Sequence, residues 1–396
     1  MDQQSIFVAF VLVAVPSFYF FAEHRTGWTI WSFLPPLLWI YATPLALRIA
    51  GILPEESPLY GGIRAYLLPI FITLLVMTID LRSVVGTLGR GLPVLLVSTM
   101  CVIVGAPLGY LAVSPWLPAE AWTGYGALAG SWIGGTANMA AMERALGTPP
   151  DQMGLAILAD QVVFLLWLPL LIVSARYAGP FNRWVNARPL PIDADEGETE
   201  EKVDEEAPPQ PARKYLDVPP MLDLLLMLAA ALANVALSAW IAARLPELPP
   251  FITGSTWLVL LVTTGAVLLS LTPIRRSRQG EITGTAILYI FVANMGASAS
   301  IAGFGQAPAF VAGAFVWLAV SASLMVVAAR LMRTDLRLMA VAAIANIGGA
   351  ASAPVVAAAH HRNLVPVAIL MAMLCYVLGN YGAILAGHLV RIVAGA

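Results

Sequence analysis

Two short stretches carry residues that could do chemistry where lipid would otherwise allow none. From Gly130 to Glu143 the chain reads GSWIGGTANMAAME, and from Ala345 to Val356 it reads ANIGGAASAPVV. Aligning Gly134-Gly135 with Gly348-Gly349 sets Asn138 opposite Ser352 and Trp132 opposite Asn346. A glycine pair weakens a helix and frees backbone groups, which is tolerable at membrane depth only in a protein-lined or watered cavity. The break also creates half-helix ends, whose N-termini favour anions and whose carbonyl ends favour cations. Close packing of small residues competes as an explanation for one such motif. A matched pair in two halves points instead to a transporter's binding site. The candidate binding residues are Gly134, Gly135, Thr136 and Asn138, with Asn346, Gly348, Gly349 and Ser352 in the echo.

Asp160, followed by Gln161, is the carboxylate well inside an apolar run, about eight residues or about 12 Å from either plausible end. Burying its charge costs at least a few kcal/mol, so an ionisable residue there is a functional candidate. It would serve as a Na+ ligand together with Asn138, or as a proton carrier; a buried structural Asp bonded to backbone or to Gln161 is the plainer alternative. Asn380, in the run Gly379-Asn380-Tyr381, and Asn294 could line a cavity, though interhelical hydrogen bonding explains them equally well. Asp80, Glu143, Asp223, His388 and the His360-His361 pair fall at segment ends and read as interfacial. No HExxH, GxSxG or phosphate-loop motif occurs, and Gly303-Phe304-Gly305 lacks a strand–helix setting, so the expectation is no enzyme and no cofactor beyond a coupling ion.

The elements that must position these residues are membrane helices. The 396 residues are 59% hydrophobic and 11% charged, with mean hydropathy +0.81, against roughly 25% charged in an average soluble protein. Apolar runs of about 18 to 25 residues recur, each long enough to span a core of about 30 Å. Residues 1–22 lack a basic start and a small-residue cleavage site, and read as a first membrane helix. Both cysteines, Cys101 and Cys375, lie in apolar runs without metal spacing. No basic stripe suits nucleic acid, and the two lysines, Lys202 and Lys214, sit in the long polar loop.

Six apolar segments precede that loop, near 6–21, 28–47, 63–79, 92–113, 121–146 and 153–175, and six follow, near 222–243, 251–271, 284–301, 309–329, 336–359 and 365–393. The proline pair Pro35-Pro36 and Pro44 should kink the second, and Gly379-Asn380-Tyr381 should interrupt the last. The predicted organisation is a first membrane repeat over 1–175, an acidic disordered linker over 176–218 and a second repeat over 219–396. Six segments per half would leave both halves facing the same way. The arginines disagree: Arg82 and Arg90 precede the fourth segment, whereas Arg330, Arg333 and Arg337 follow the tenth. Under the positive-inside rule those two helices run oppositely. The charge pattern is preferred, so one crossing between 176 and 306 is expected to be a miscount.

GSWIGGTAN, Ala159-Asp160-Gln161, Asn346-Ile-Gly-Gly349 and Gly379-Asn380-Tyr381 together resemble the YjcL-like membrane protein family, a domain of unknown function, over nearly the whole chain outside the linker. That family is similar in turn to a superfamily of cation:proton antiporters, bile-acid:sodium symporters and glutamate:sodium symporters. The resemblance implies an all-α polytopic membrane protein of two inverted repeats, forming a panel domain and a core domain in which two discontinuous helices cross. It also implies ion and solute binding around the crossing and an elevator-like step. This chain shows one acid, Asp160, where antiporters place an ion-binding carboxylate, and no lysine in the final helix.

The expected function is secondary active transport of a small anionic organic solute, coupled to Na+ or H+, in the cytoplasmic (inner) membrane. A monovalent cation/proton antiporter is the alternative within that class, and a sensor or scaffold signalling through the acidic linker is the alternative outside it. Expected partners are the small-molecule substrate, membrane lipid and a second copy docked through the panel.

Overall fold

The computed structural model describes residues 3–28, 31, 36–81, 88–190, 218–248, 253–299 and 304–396. Most of the acidic linker (191–217, with both lysines), Pro35, Arg82, Ile301 and Gly303 lie outside the described residues. Among the described residues the regular elements are helices, of which seven are long and apolar enough to cross a membrane. In chain order they are α1 (Gln3–Thr26), α2 (Pro36–Ile49), α3 (Pro58–Met77), α4 (Gly91–Val113), α5 (Ala121–Gly134), α6 (Thr136–Leu146), α7 (Pro150–Ser174) and α8 (Ala178–Val185). The second half has α9 (Pro220–Ala242), α10 (Gly254–Ser270), α11 (Arg278–Ser298), α12 (Ala307–Met332), α13 (Leu336–Asn346), α14 (Gly349–His360) and α15 (Val365–Ala394).

Helix directions follow from contacts along each pair. On α4 and α12, Ser98 meets Met325 and Gly109 faces Gly313, while Trp317 Nε1 donates to the Val102 carbonyl at 2.7 Å. The two helices are antiparallel, as the arginine pattern requires. α3 and α11 are antiparallel as well, with Arg64 at Ser298 and Leu74 at Gly284. Asp80, just beyond α3, pairs with Arg275, just before α11, at 3.1 Å. α4 and α15 run in parallel, Gly91 lying at Met371 and Gly382 at Ile103. We call the face where α1, α4 and α15 begin the first face, and the opposite one the second.

The two glycine-broken segments do not cross the membrane. Each turns back on itself as a re-entrant hairpin, which corrects the expectation of two crossing helices. Thr148, beyond the end of α6, donates to the carbonyl of Thr123, near the start of α5, and a β-carbon at Gly126 would run into Leu146. At Gly130 an added β-carbon would sit 2.8 Å from the Met139 α-carbon, so α5 and α6 touch backbone to backbone down to their tip. α13 and α14 close in the same way from the other side. Asp335, at the start of α13, pairs with Asn182 of α8, and His360, at the end of α14, bonds Ser174 and Leu171 at the end of α7. His360 also feels the charges of Asp335 and Arg337, so both ends of that hairpin lie at one face.

This arrangement relocates the miscounted crossing. α9, α10, α11 and α12 all run from one face to the other between the hairpins, so the miscount is not between 176 and 306. It lies in the hairpins themselves, whose two legs together look like one span to a hydropathy window. With α7 included, an odd number of spans separates the hairpins, which therefore enter from opposite faces. The final segment differs from expectation too: α15 is continuous from Val365 to Ala394 through Gly379-Asn380-Tyr381. Its glycines serve close approach, Gly379 to Gly134 and Gly387 to Gly126, rather than a break.

Helices gather into two groups. α4, α7, α12 and α15 enclose both hairpins, whereas α1, α2, α3, α9, α10 and α11 pack on one another, and α6 and α10 form much of the seam. Behind hairpin one, Tyr125 contacts Tyr110, Phe310 and Trp317, and Trp132 lies 4.4 Å from Trp317 between ring centroids. Such a ring column is rigid, and its Tyr hydroxyl and Trp N–H are matched by the Phe310 carbonyl and Asp160.

Candidate functional site

The fourteen residues of α5 and the eleven of α13 reach about 21 Å and about 16 Å from their faces, so both tips arrive near the middle of a core of about 30 Å. At the first tip the chain reverses through Gly135, whose φ of 81° favours glycine. At the second it reverses through Gly348 and Gly349, with φ of 142° and 69°. The second break lies at Ile347-Gly348, one residue ahead of the aligned pair.

Tyr376 of α15 stands between the tips. A β-carbon at Gly135 would lie 3.3 Å from its ring, and one at Gly349 would lie 3.5 Å from its hydroxyl. Tyr376 was not singled out from the sequence, where one tyrosine in an apolar run carries no mark; only the fold sets it against both glycines. Gly135, Thr136, Asp160, Gln161 and Tyr376 are half-buried and Gly348 is exposed, so the tips are not sealed in protein.

Each tip starts a helix without a side-chain cap: α6 begins at Thr136 after Gly135, and α14 at Gly349 after Gly348. The first N–H groups of a helix have no partner within it, and the aligned peptide dipoles add positive potential there. Ser352, in the first turn of α14, is 7% exposed, and its Oγ has no hydrogen-bond partner among the described residues. That Oγ is turned back to the tip, where a β-carbon on Gly348 would meet it. A buried hydroxyl left unmatched costs about 1–3 kcal/mol, so this one is set for a partner from outside the chain.

The other predicted residues divide between the tip and its scaffold. Asp160 of α7 accepts from Ser131 Oγ at 2.9 Å, Trp132 Nε1 at 3.1 Å and Gln161 Nε2 at 3.4 Å. It thereby ties α7 to the last turn of α5. Asn138 of α6 turns elsewhere, its amide donating to the carbonyls of Tyr376 at 3.2 Å and Cys375 at 3.5 Å. Gly134 and Gly379 leave the room for that amide. Asn346 is enclosed, donating to Ser98 and the Ala342 carbonyl and accepting from Thr99 and Cys375. Asn380 donates to Thr263 of α10 at 2.7 Å, as an interhelical bond would, and its Oδ1 lacks a partner among the described residues. Asp160, Gln161, Thr136 and Ser352 are thus placed around the tips, while Asn138, Asn346 and Asn380 hold helices together. No group of three or more His, Cys, Asp or Glu side chains converges on a metal site among the described residues.

Glu143 departs from its interfacial reading. It is 5% exposed and pairs with Arg64 of α3, because hairpin one turns this face of α6 against the other helix group.

Residues 10–393 match the family described as "Protein of unknown function (DUF819)", and the chain belongs to that family. It is also similar to "Uncharacterized membrane protein YjcL" of Bacillus subtilis (strain 168), at 27% identity over 374 residues, covering 91% of this chain and 90% of that protein.

Proposed function

We propose that this DUF819 member is a secondary active transporter of a small anionic organic solute, coupled to Na+ or H+, in the cytoplasmic membrane. One observation carries the reading: two uncapped helix N-termini from hairpins of opposite entry flank Tyr376 at mid-membrane, with an unmatched Ser352 hydroxyl beside them. A carboxylate or similar anion would accept from the free N–H groups and from Ser352, with no lysine or arginine buried among the described residues to trap it. Re-entrant backbone at membrane depth is stable only in such a protein-lined cavity.

The helix directions fit an inverted repeat, with α3, α4, hairpin one and α7 matched by α11, α12, hairpin two and α15. The group around the hairpins would be the moving core, and α1–α3 with α9–α11 the panel. Asp160 is the coupling candidate. Its acceptors are occupied by Ser131 and Trp132 of α5, so a proton or Na+ taken there must compete with bonds that position the first tip. A cytoplasmic first face, with the acidic linker inside the cell, is supported by Arg90, Arg183, Arg188, Arg275, Arg330 and Arg333, which gather there.

The test is uptake of a panel of labelled mono- and dicarboxylates into proteoliposomes, with and without Na+ and pH gradients. Accumulation that depends on one gradient supports the reading, and a chain that accumulates no anion under either gradient defeats it. Collapse of a pH gradient by Na+ alone would indicate a cation/proton antiporter instead.

A further inference from the structure

α3 contains a π-turn at Ile63–Leu67, directly ahead of Pro69. Proline has no N–H, so nothing at position 69 can bond the Ala65 carbonyl in an α-turn or the Arg64 carbonyl in a π-turn. Hairpin one supplies the missing donor. Arg144 of α6 points Nη1 at both carbonyls, 2.7 Å from Arg64 O and 2.9 Å from Ala65 O. Beside it, Glu143 receives Arg64 Nη2 at 3.3 Å, and Arg64 also reaches Ser298 of α11. The Oε2 of the same carboxylate has no hydrogen-bond partner among the described residues.

The two adjacent residues of one hairpin therefore both engage α3 of the other group, through bonds that exist only at this register. A shift of the hairpin by one helical rise would part Arg144 from the two carbonyls that Pro69 cannot serve. It would also leave the Glu143 charge buried alone, since breaking such a pair costs far more than the pair itself contributes.

We propose that Glu143, Arg144 and Arg64 form a latch that fastens hairpin one to the π-turn of α3 and holds the conformation seen here until the two helix groups slide. The proposal rests on the reading of those groups as movable with respect to one another. Its test is independent of any substrate. Full-length protein in nanodiscs would carry spin labels at Glu120→Cys, at the base of hairpin one, and Leu237→Cys, exposed on α9, and the distance distribution would be measured by double electron–electron resonance.

A latch predicts one dominant distance in the otherwise wild-type protein and a second population, increased about tenfold, in Glu143→Gln, which keeps the size and removes the charge. Arg144→Met, which keeps the stem and removes the donors, should give the same second distance. If either variant elutes aggregated, Arg144→Lys, which retains the charge but cannot bridge both carbonyls, replaces it. The charge-swapped pair Arg64→Glu with Glu143→Arg should return the population towards the dominant distance. An unchanged distribution in folded Glu143→Gln and Arg144→Met overturns the latch. Failure of uptake with a latch-dependent distribution would instead overturn the transport reading and leave the latch standing.

Discussion

Gly134→Ala offers a direct test of how hairpin one is seated. A β-carbon there would overlap the Asn138 amide and lie 2.6 Å from the Cys375 carbonyl oxygen, which is backbone of α15 and cannot rotate away. Restoring an ordinary separation of about 3.4 Å requires α5 and α15 to part by about 0.8 Å, or the tip to tilt by as much. Overpacking of this kind costs about 1–3 kcal/mol. The displaced Asn138 amide would also lose its bonds to Cys375 and Tyr376, adding about 1–3 kcal/mol for buried groups left unmatched. The better helix propensity of alanine returns less than about 1 kcal/mol at a last helical residue. The net expectation is a loss of about 1–6 kcal/mol, read as an apparent Tm lowered by on the order of 5 °C in detergent. The double variant Gly134→Ala with Asn138→Ala should be destabilised by less than the sum of the two single changes, because the larger overlap is gone. A Gly134→Ala protein with wild-type Tm, or strict additivity in the pair, would refute the packing account of this tip.

Other consequences can be checked alongside. Ser352→Ala removes a buried hydroxyl that has no partner among the described residues, so Tm should not fall and should rise slightly. The KM for the transported anion should rise about tenfold, one lost hydrogen bond's worth, and an unchanged KM would remove Ser352 from the site. Asp160→Asn keeps the shape but turns an N–H₂ towards Ser131 or Trp132, costing about 1–3 kcal/mol, and uptake should lose its response to the Na+ or pH gradient. Gradient-dependent uptake at the wild-type level in that variant would leave Asp160 a purely structural tie. Deleting residues 190–212 should leave uptake unaltered, whereas a sensor working through the acidic linker would lose its output.

Much about this protein is determined by composition alone, because lipid imposes one demand on every residue. Stretches this apolar and this long have to be helices, as their backbone groups must be bonded within the segment. The same demand makes Gly134-Gly135 and Gly348-Gly349 conspicuous, since a break at that depth needs a reason. The arginines near α4 and α12 likewise reveal opposite directions, because charge is sorted locally at each face.

What tertiary structure alone decided is where the chain goes after each break. A glycine frees the backbone equally for a kink and for a reversal, and the choice depends on contacts between residues such as Gly126 and Leu146 or Gly130 and Met139. Those contacts turned two expected crossings into hairpins. They also buried Glu143, which is three residues from the end of its helix and looks interfacial until α6 is folded against α3. Tyr376 and the π-turn at Ile63–Leu67 acquire meaning for the same reason. Each is a local feature whose partner lies far away in the chain, and a one-dimensional pattern records propensity and depth but not which distant groups a fold brings within hydrogen-bonding reach.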